Sequence, residues 1–214
     1  MQNKKDYFQK IVAYLGIIRI YSLLDLILLL IAAGATNYTF AGAIILHLGF
    51  LAFLEHTHAH KYRIKIPLII SITLFVIGLI FYQKLEGIGF IVFSIIYSNK
   101  NKTPYSKLSP FARGAQHLFL IGGISGFFSI LPWIAFVLLT IRNFAGDLRD
   151  ATKDRKEKMQ TLPIELGVKK DYPYLHLVLL FTTTFIWIIL TKINLLYLIP
   201  IWLIQLLSYT ITKR

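Results

Sequence analysis

The chain predicts an all-α, polytopic transmembrane bundle of about eight helices, forming one domain over residues 1–214. Three observations lead there. The composition is 56% hydrophobic with a mean hydropathy of +0.64, more apolar side chains than a soluble domain of this size could bury. The apolar runs, such as Ile66 to Phe81, are apolar on every face and do not alternate. In lipid every backbone polar group must be satisfied internally, and without a period of two this selects helices over a barrel. Finally, basic residues collect in alternate connections only, the pattern of a chain threading a membrane back and forth.

The elements follow in order. Residues 1–10 are polar, and the run after them has no small-residue cleavage site at the expected distance, so no cleavable signal peptide is expected. The first span covers 11–33 and carries Arg19 and, deeper, Asp25. Arg19 either reaches an anionic ligand or snorkels to the headgroups. Asp25 is either functional, as intramembrane carboxylates often are, or hydrogen-bonded between helices. The second span, 39–56, leads into a basic connection containing Lys61, Arg63 and Lys65. The third and fourth, 66–83 and 86–98, are separated by two residues, and the basic connection 99–113 follows with Lys100, Lys102, Lys107 and Arg113. The fifth, 112–126, holds Gly122, Gly123 and Gly126, which suit close helix packing or a kink. The sixth, 129–149, opens into the longest basic segment, 149–170. The seventh and eighth cover 172–190 and 194–211. By the positive-inside rule both termini and all three basic loops face the cytoplasm, in an integral protein of the cell membrane. The formal charge of +13 is then explained by topology and contact with anionic lipid, and nucleic acid is not an expected partner. Zero cysteine excludes disulfides, thiolate metal sites and Cys nucleophiles.

The densest chemistry is Asn143-Phe-Ala-Gly-Asp147-Leu-Arg-Asp150-Ala-Thr-Lys-Asp154. Asn143, Asp147, Asp150 and Asp154 fall at i, i+4, i+7 and i+11, one face of a helix. Carboxylates at a membrane surface suit Mg²⁺ carrying a phosphorylated ligand, because Mg²⁺ is commonly held by one or two carboxylates plus substrate phosphates. A solvated acidic loop, neutralised by Arg149, Lys153, Arg155, Lys156 and Lys158, is the alternative.

Asp147-x-x-Asp150-x-x-x-Asp154-Arg155, followed by Thr161-Leu-Pro-x-x-Leu-Gly167, resembles the second aspartate-rich motif of the UbiA superfamily of intramembrane prenyltransferases. The likeness covers about 25 contiguous residues, and the polytopic helical character agrees more loosely elsewhere. It implies transfer of an isoprenyl chain from a polyprenyl diphosphate to an aromatic or lipid-like, hydrophobic acceptor. By resemblance Asp150 and Asp154 bind Mg²⁺ with Asp147 in support, Asn143 assists, and Lys107 and Arg19 hold the diphosphate. For Lys107 and Arg113 the alternative is a topological cation. The family's first motif, Asn-x-x-x-Asp-x-x-x-Asp, has no counterpart. Its place reads Ala52-Phe-Leu-Glu55-His56-Thr-His58-Ala-His60. His56 and His60 keep the i, i+4 spacing and are either a second metal pair, better suited to Zn²⁺, Fe²⁺ or Mn²⁺, or interfacial loop residues. The family also usually has nine spans. A derivative of the same fold that binds isoprenoid lipid, or serves as a membrane partner subunit, is the other functional reading. His47 and the Gln116/His117 pair read as interhelical hydrogen-bond partners.

Overall fold

A computed structural model describes Gly16 and residues 18–57, 65–99 and 104–212. It is helical, with no strand among the described residues. The long helices are α1 (Ile20–Ala32), α2 (Asn37–Thr57), α3 (Leu68–Tyr82), α4 (Glu86–Ser98), α5 (Ser109–Ser125) and α6 (Ile130–Arg149). Two short helices follow, α7 (Ala151–Lys156) and α8 (Leu162–Glu165), then α9 (Pro173–Thr191) and α10 (Leu198–Thr212). Each of the eight predicted segments coincides with one long helix. By length and composition, α2, α6 and α9 are long and apolar enough to cross a membrane, and four others are apolar but shorter. A 13-residue helix such as α4 rises about 20 Å against a hydrocarbon core of about 30 Å.

The helices pack so that their contacts close on themselves. α1 meets α2, α2 meets α4, α4 meets α5, α5 meets α6, α6 meets α9, and α9 returns to α1. α3 braces this ring from outside along α2, and α10 braces it along α1 and α9. The α2–α3 seam is tight because Gly42 has no side chain: a Cβ there would lie 2.2 Å from the backbone nitrogen of Tyr82. One turn along that seam Gly78 receives Leu46. Small residues let membrane helices approach closely, which matters where lipid removes the hydrophobic drive for association.

The ring interior is filled by Leu26, Leu29, Leu46, Phe90, Leu120 and Trp187, all essentially inaccessible. The outer faces invert the usual soluble pattern. Ile69, Val76 and Ile80 on α3, Val178 on α9, and Ile199 and Leu207 on α10 stand more than half exposed. A surface of this kind is stable against hydrocarbon and not against water.

Two boundaries differ from the sequence expectation. Residues 11–15 and 17 of the first expected span lie outside the described residues, and α1 begins at Ile20, directly after Arg19, whose backbone is left-handed (φ +47°). α6 ends at Arg149, and α7 restarts one residue later with Asp150 as the non-helical joint (φ −103°, ψ 10°). The four-residue acidic stripe therefore does not ride one unbroken helix.

Candidate functional site

A cavity of about 880 Å³, counting its open mouth, sits at one end of the ring. The six helices of the ring and α10 reach it with the ends nearest the basic connections, and α3 does not line it. α1 supplies Tyr21 and Ser22 from its start, α2 Phe50 and Leu51 from its last turns, and α4 Tyr97 from its end. α5 supplies Arg113 from its start, α6 its C-terminal third, α9 His176 from its start, and α10 Tyr209 from its end. Up-and-down threading brings these ends together, so the mouth shares a face with the connections rich in Lys and Arg.

α6 makes the functional wall. Leu139, Arg142, Asn143, Gly146, Asp147 and Arg149 recur at helical spacing, and Asp150 extends them past the helix end. Asp147 accepts a hydrogen bond from the Ser109 hydroxyl at 3.0 Å. The Asn143 amide oxygen accepts from the Tyr97 hydroxyl at 3.1 Å, while its amide nitrogen is buried with no protein partner. Arg149 grips Asp150 with a fork, Nε to Oδ1 at 2.9 Å and Nη2 to Oδ2 at 2.6 Å, and donates to the Tyr209 hydroxyl at 3.1 Å.

Four guanidinium groups line the cavity against two carboxylates, Asp147 and Asp150. Arg19 pairs at 3.3 Å with Glu55, which is buried behind it on α2. Arg142 pairs with Asp25 at 2.6 Å and also donates to Thr183 at 2.9 Å. That deep pair continues through Thr183, Thr184 and Gln205, joining α1, α6, α9 and α10 in one buried network. Arg113 differs from the others. It is 8% exposed and has no carboxylate partner among the described residues. Its guanidinium donates to Gln116 Oε1 at 2.6 Å, contacts Ser22 at 3.4 Å and lies 4.7 Å over the Phe50 ring. Burying a guanidinium without a counter-charge is costly, and Arg113 bears that cost with neutral partners only.

The predicted residues divide accordingly. Asn143, Asp147, Asp150, Arg19 and Arg113 converge on the cavity. Asp154 does not line it: it is buried within the α7 turn, where its backbone N–H donates to the Asp150 carbonyl at 2.9 Å. Lys107 is exposed and faces Glu165 across 3.5 Å. His56 turns its Nδ1 to the Ile66 carbonyl at 3.0 Å, and His60 lies outside the described residues. On α2 it is Glu55, not His56, that points into the ring. The Thr161-Leu-Pro-x-x-Leu-Gly167 segment forms α8 with Pro163 in its first turn and Gly167 beyond its end at φ +78°. The Ser106 hydroxyl, in the 3₁₀ turn before α5, donates to the Gln160 carbonyl and ties this segment to the start of α5.

Arg142 and Arg149 were hidden from the spacing argument. Arg142 had a signal, since it is a charge in an otherwise apolar run and obeys the same rule that singles out Asp25. Arg149 reads as one loop cation among five. Tyr21, His176 and Tyr209 carry no sequence signal, because tyrosines at membrane interfaces are ordinary.

The donor set fits Mg²⁺. Asp147 and Asp150 offer hard carboxylate oxygens on one wall, the number such an ion takes when phosphate oxygens complete its shell. Among the described residues no group of three or more His, Cys, Asp or Glu side chains could hold an ion alone. A divalent cation here would share its coordination with an anionic ligand. No family model, curated protein or solved structure matches the chain.

Proposed function

We propose that the chain is a Mg²⁺-dependent membrane prenyltransferase of the UbiA type, taking a polyprenyl diphosphate and passing its isoprenyl group to a hydrophobic acceptor. One observation carries this reading: Asn143, Asp147 and Asp150 stand on one cavity wall, in a lining that also holds Arg19, Arg113, Arg142 and Arg149. Ionising an allylic diphosphate requires its leaving-group charge to be neutralised, and fixed guanidinium groups with a cation supply that. Asp147 and Asp150 would hold the Mg²⁺, which contributes charge neutralisation of the leaving group. Arg113 takes a phosphate oxygen. Phe50, Leu51 and Leu139 begin the apolar surface on which the chain rests and which keeps water from the reacting carbon. The positive-inside rule, applied to the basic connections, favours a mouth that opens to the cytoplasm.

The second reading is an isoprenoid-lipid-binding derivative without turnover. It is favoured by α2, where Glu55 is committed to Arg19 and His56 to a backbone carbonyl, leaving no second acidic wall among the described residues. The two readings separate on product. Detergent-solubilised protein is incubated with Mg²⁺, labelled farnesyl or geranylgeranyl diphosphate and a membrane-lipid extract as acceptor source. Diphosphate release by the wild type, lost in Asp147→Ala/Asp150→Ala, is the expected result. Tight binding without release selects the second reading, and neither binding nor release removes both.

A further inference from the structure

We propose that Arg149 is an exchangeable counter-ion, held on Asp150 in the ligand-free protein and handed to the diphosphate when Asp150 takes up a divalent cation. The inference rests on the ligand reading above and assigns a role to a residue outside the acidic motif. Both Asp150 oxygens are occupied by the Arg149 fork, and these are the oxygens a hard cation requires. The two residues are sequence neighbours, so the pair itself spans no gap between helices, although Arg149 also reaches Tyr209 on α10. The pair sits at the one-residue joint between α6 and α7, where Asp150 has non-helical backbone. Exposure separates it from the other strong pair in the cavity. Arg149 and Asp150 side chains are 22% and 25% accessible, whereas Arg142 and Asp25 are 7% and 2%. Both members of the first pair border the cavity, whereas in the second only Arg142 does and Asp25 is sealed behind it.

The guanidinium is also guided. It lies 5.7 Å over Tyr209 and donates to that hydroxyl, and Tyr209 in turn stacks on His176 at 5.4 Å. This aromatic shelf holds Arg149 at cavity height after it leaves Asp150. Three of its five N–H groups make the bonds given above, and the same fork that matches a carboxylate matches a phosphate. Arg149 therefore opposes the cation when it binds alone and favours cation and diphosphate together. Linkage makes that coupling reciprocal.

The test is binding of Mn²⁺, as a paramagnetic probe, to the full chain in detergent with and without inorganic diphosphate. The wild type is expected to bind Mn²⁺ weakly alone and about tenfold or more tighter with diphosphate. Arg149→Gln is expected to bind Mn²⁺ alone about tenfold tighter than the wild type and to lose most of the gain from diphosphate. Arg149→Lys keeps the charge but not the fork and should fall between them. Tyr209→Phe, which leaves the fork and removes one bond, should shift both quantities the same way by less. A folding defect would instead weaken both bindings together in every variant. Unchanged or weaker Mn²⁺ binding in Arg149→Gln and Arg149→Lys, with the wild type behaving as expected, overturns the inference alone. A wild type that takes up neither ion overturns the functional reading and this inference with it.

Discussion

The cavity contains two arginine–aspartate pairs of equal closeness, both 2.6 Å at their shortest, and opposite character. Asp25–Arg142 lies beneath the floor, joins helices far apart in sequence and continues into Thr183, Thr184 and Gln205. Arg149–Asp150 is more exposed, joins neighbours and continues to Tyr209. Distance alone would rank them together. Burial and connectivity separate a device that holds the ring closed from one that can be exchanged for a ligand. A third pair, Lys107–Glu165, at 48% and 41% accessible, completes the series as one that does neither.

The largest effect should come from breaking the deep pair. Asp25→Ala leaves Arg142 charged, buried and unpartnered, and should destabilise the protein by about 3–5 kcal/mol. Thermal unfolding in detergent reads this. The comparison is sharpened by Asp25→Leu/Arg142→Leu, since replacing a whole buried pair by apolar residues is often near neutral. Recovered stability in the double variant would establish that the pair matters by not being half-removed. A double variant as unstable as Asp25→Ala would mean that the network beyond the pair carries the effect.

Next comes the arginine with no pair at all. Arg113→Gln should weaken diphosphate binding by roughly tenfold to a hundredfold, the loss of a charge-assisted hydrogen bond, with unfolding temperature unchanged or raised. Calorimetric titration with inorganic diphosphate and Mg²⁺ checks it. Full affinity in this variant would move the anion site elsewhere in the cavity. The smallest effect belongs to the surface. Lys107→Ala should change stability by under about 0.5 kcal/mol, because exposed pairs are screened. It should also leave diphosphate affinity within about threefold. A large loss of affinity would show that Lys107 turns from Glu165 to the ligand.

Much of the fold was legible. Ile66 to Phe81 has no polar face, so it had to be a helix in lipid or a buried one, and α3 is that helix with its outer residues exposed. The site was legible only along one helix. Asn143 and Asp147 share a face because a helix repeats, and both reach the cavity. Asp154 is on the same ideal face, yet the joint at Asp150 turns it out of the lining. His56 satisfied the spacing of a metal pair on α2, but rotation of that helix points Glu55 inward instead. Spacing gives relative angle on one helix and nothing about which angle faces the neighbours.

The sequence by itself determined a helical protein with segments apolar enough to cross a membrane, and it put the candidate site at the end of the sixth long helix, beside the basic connections. Apolar length, charge segregation and helical period are local properties, and lipid permits few other structures for them. Only the tertiary structure decided which charges meet. Asp25 finds Arg142 and Thr183 across 117 and 158 residues, Glu55 finds Arg19, and Arg113 is left without a carboxylate among the described residues. Those choices depend on helix rotation and on the order in which the ring closes. Both are set by packing between helices, which no single segment encodes.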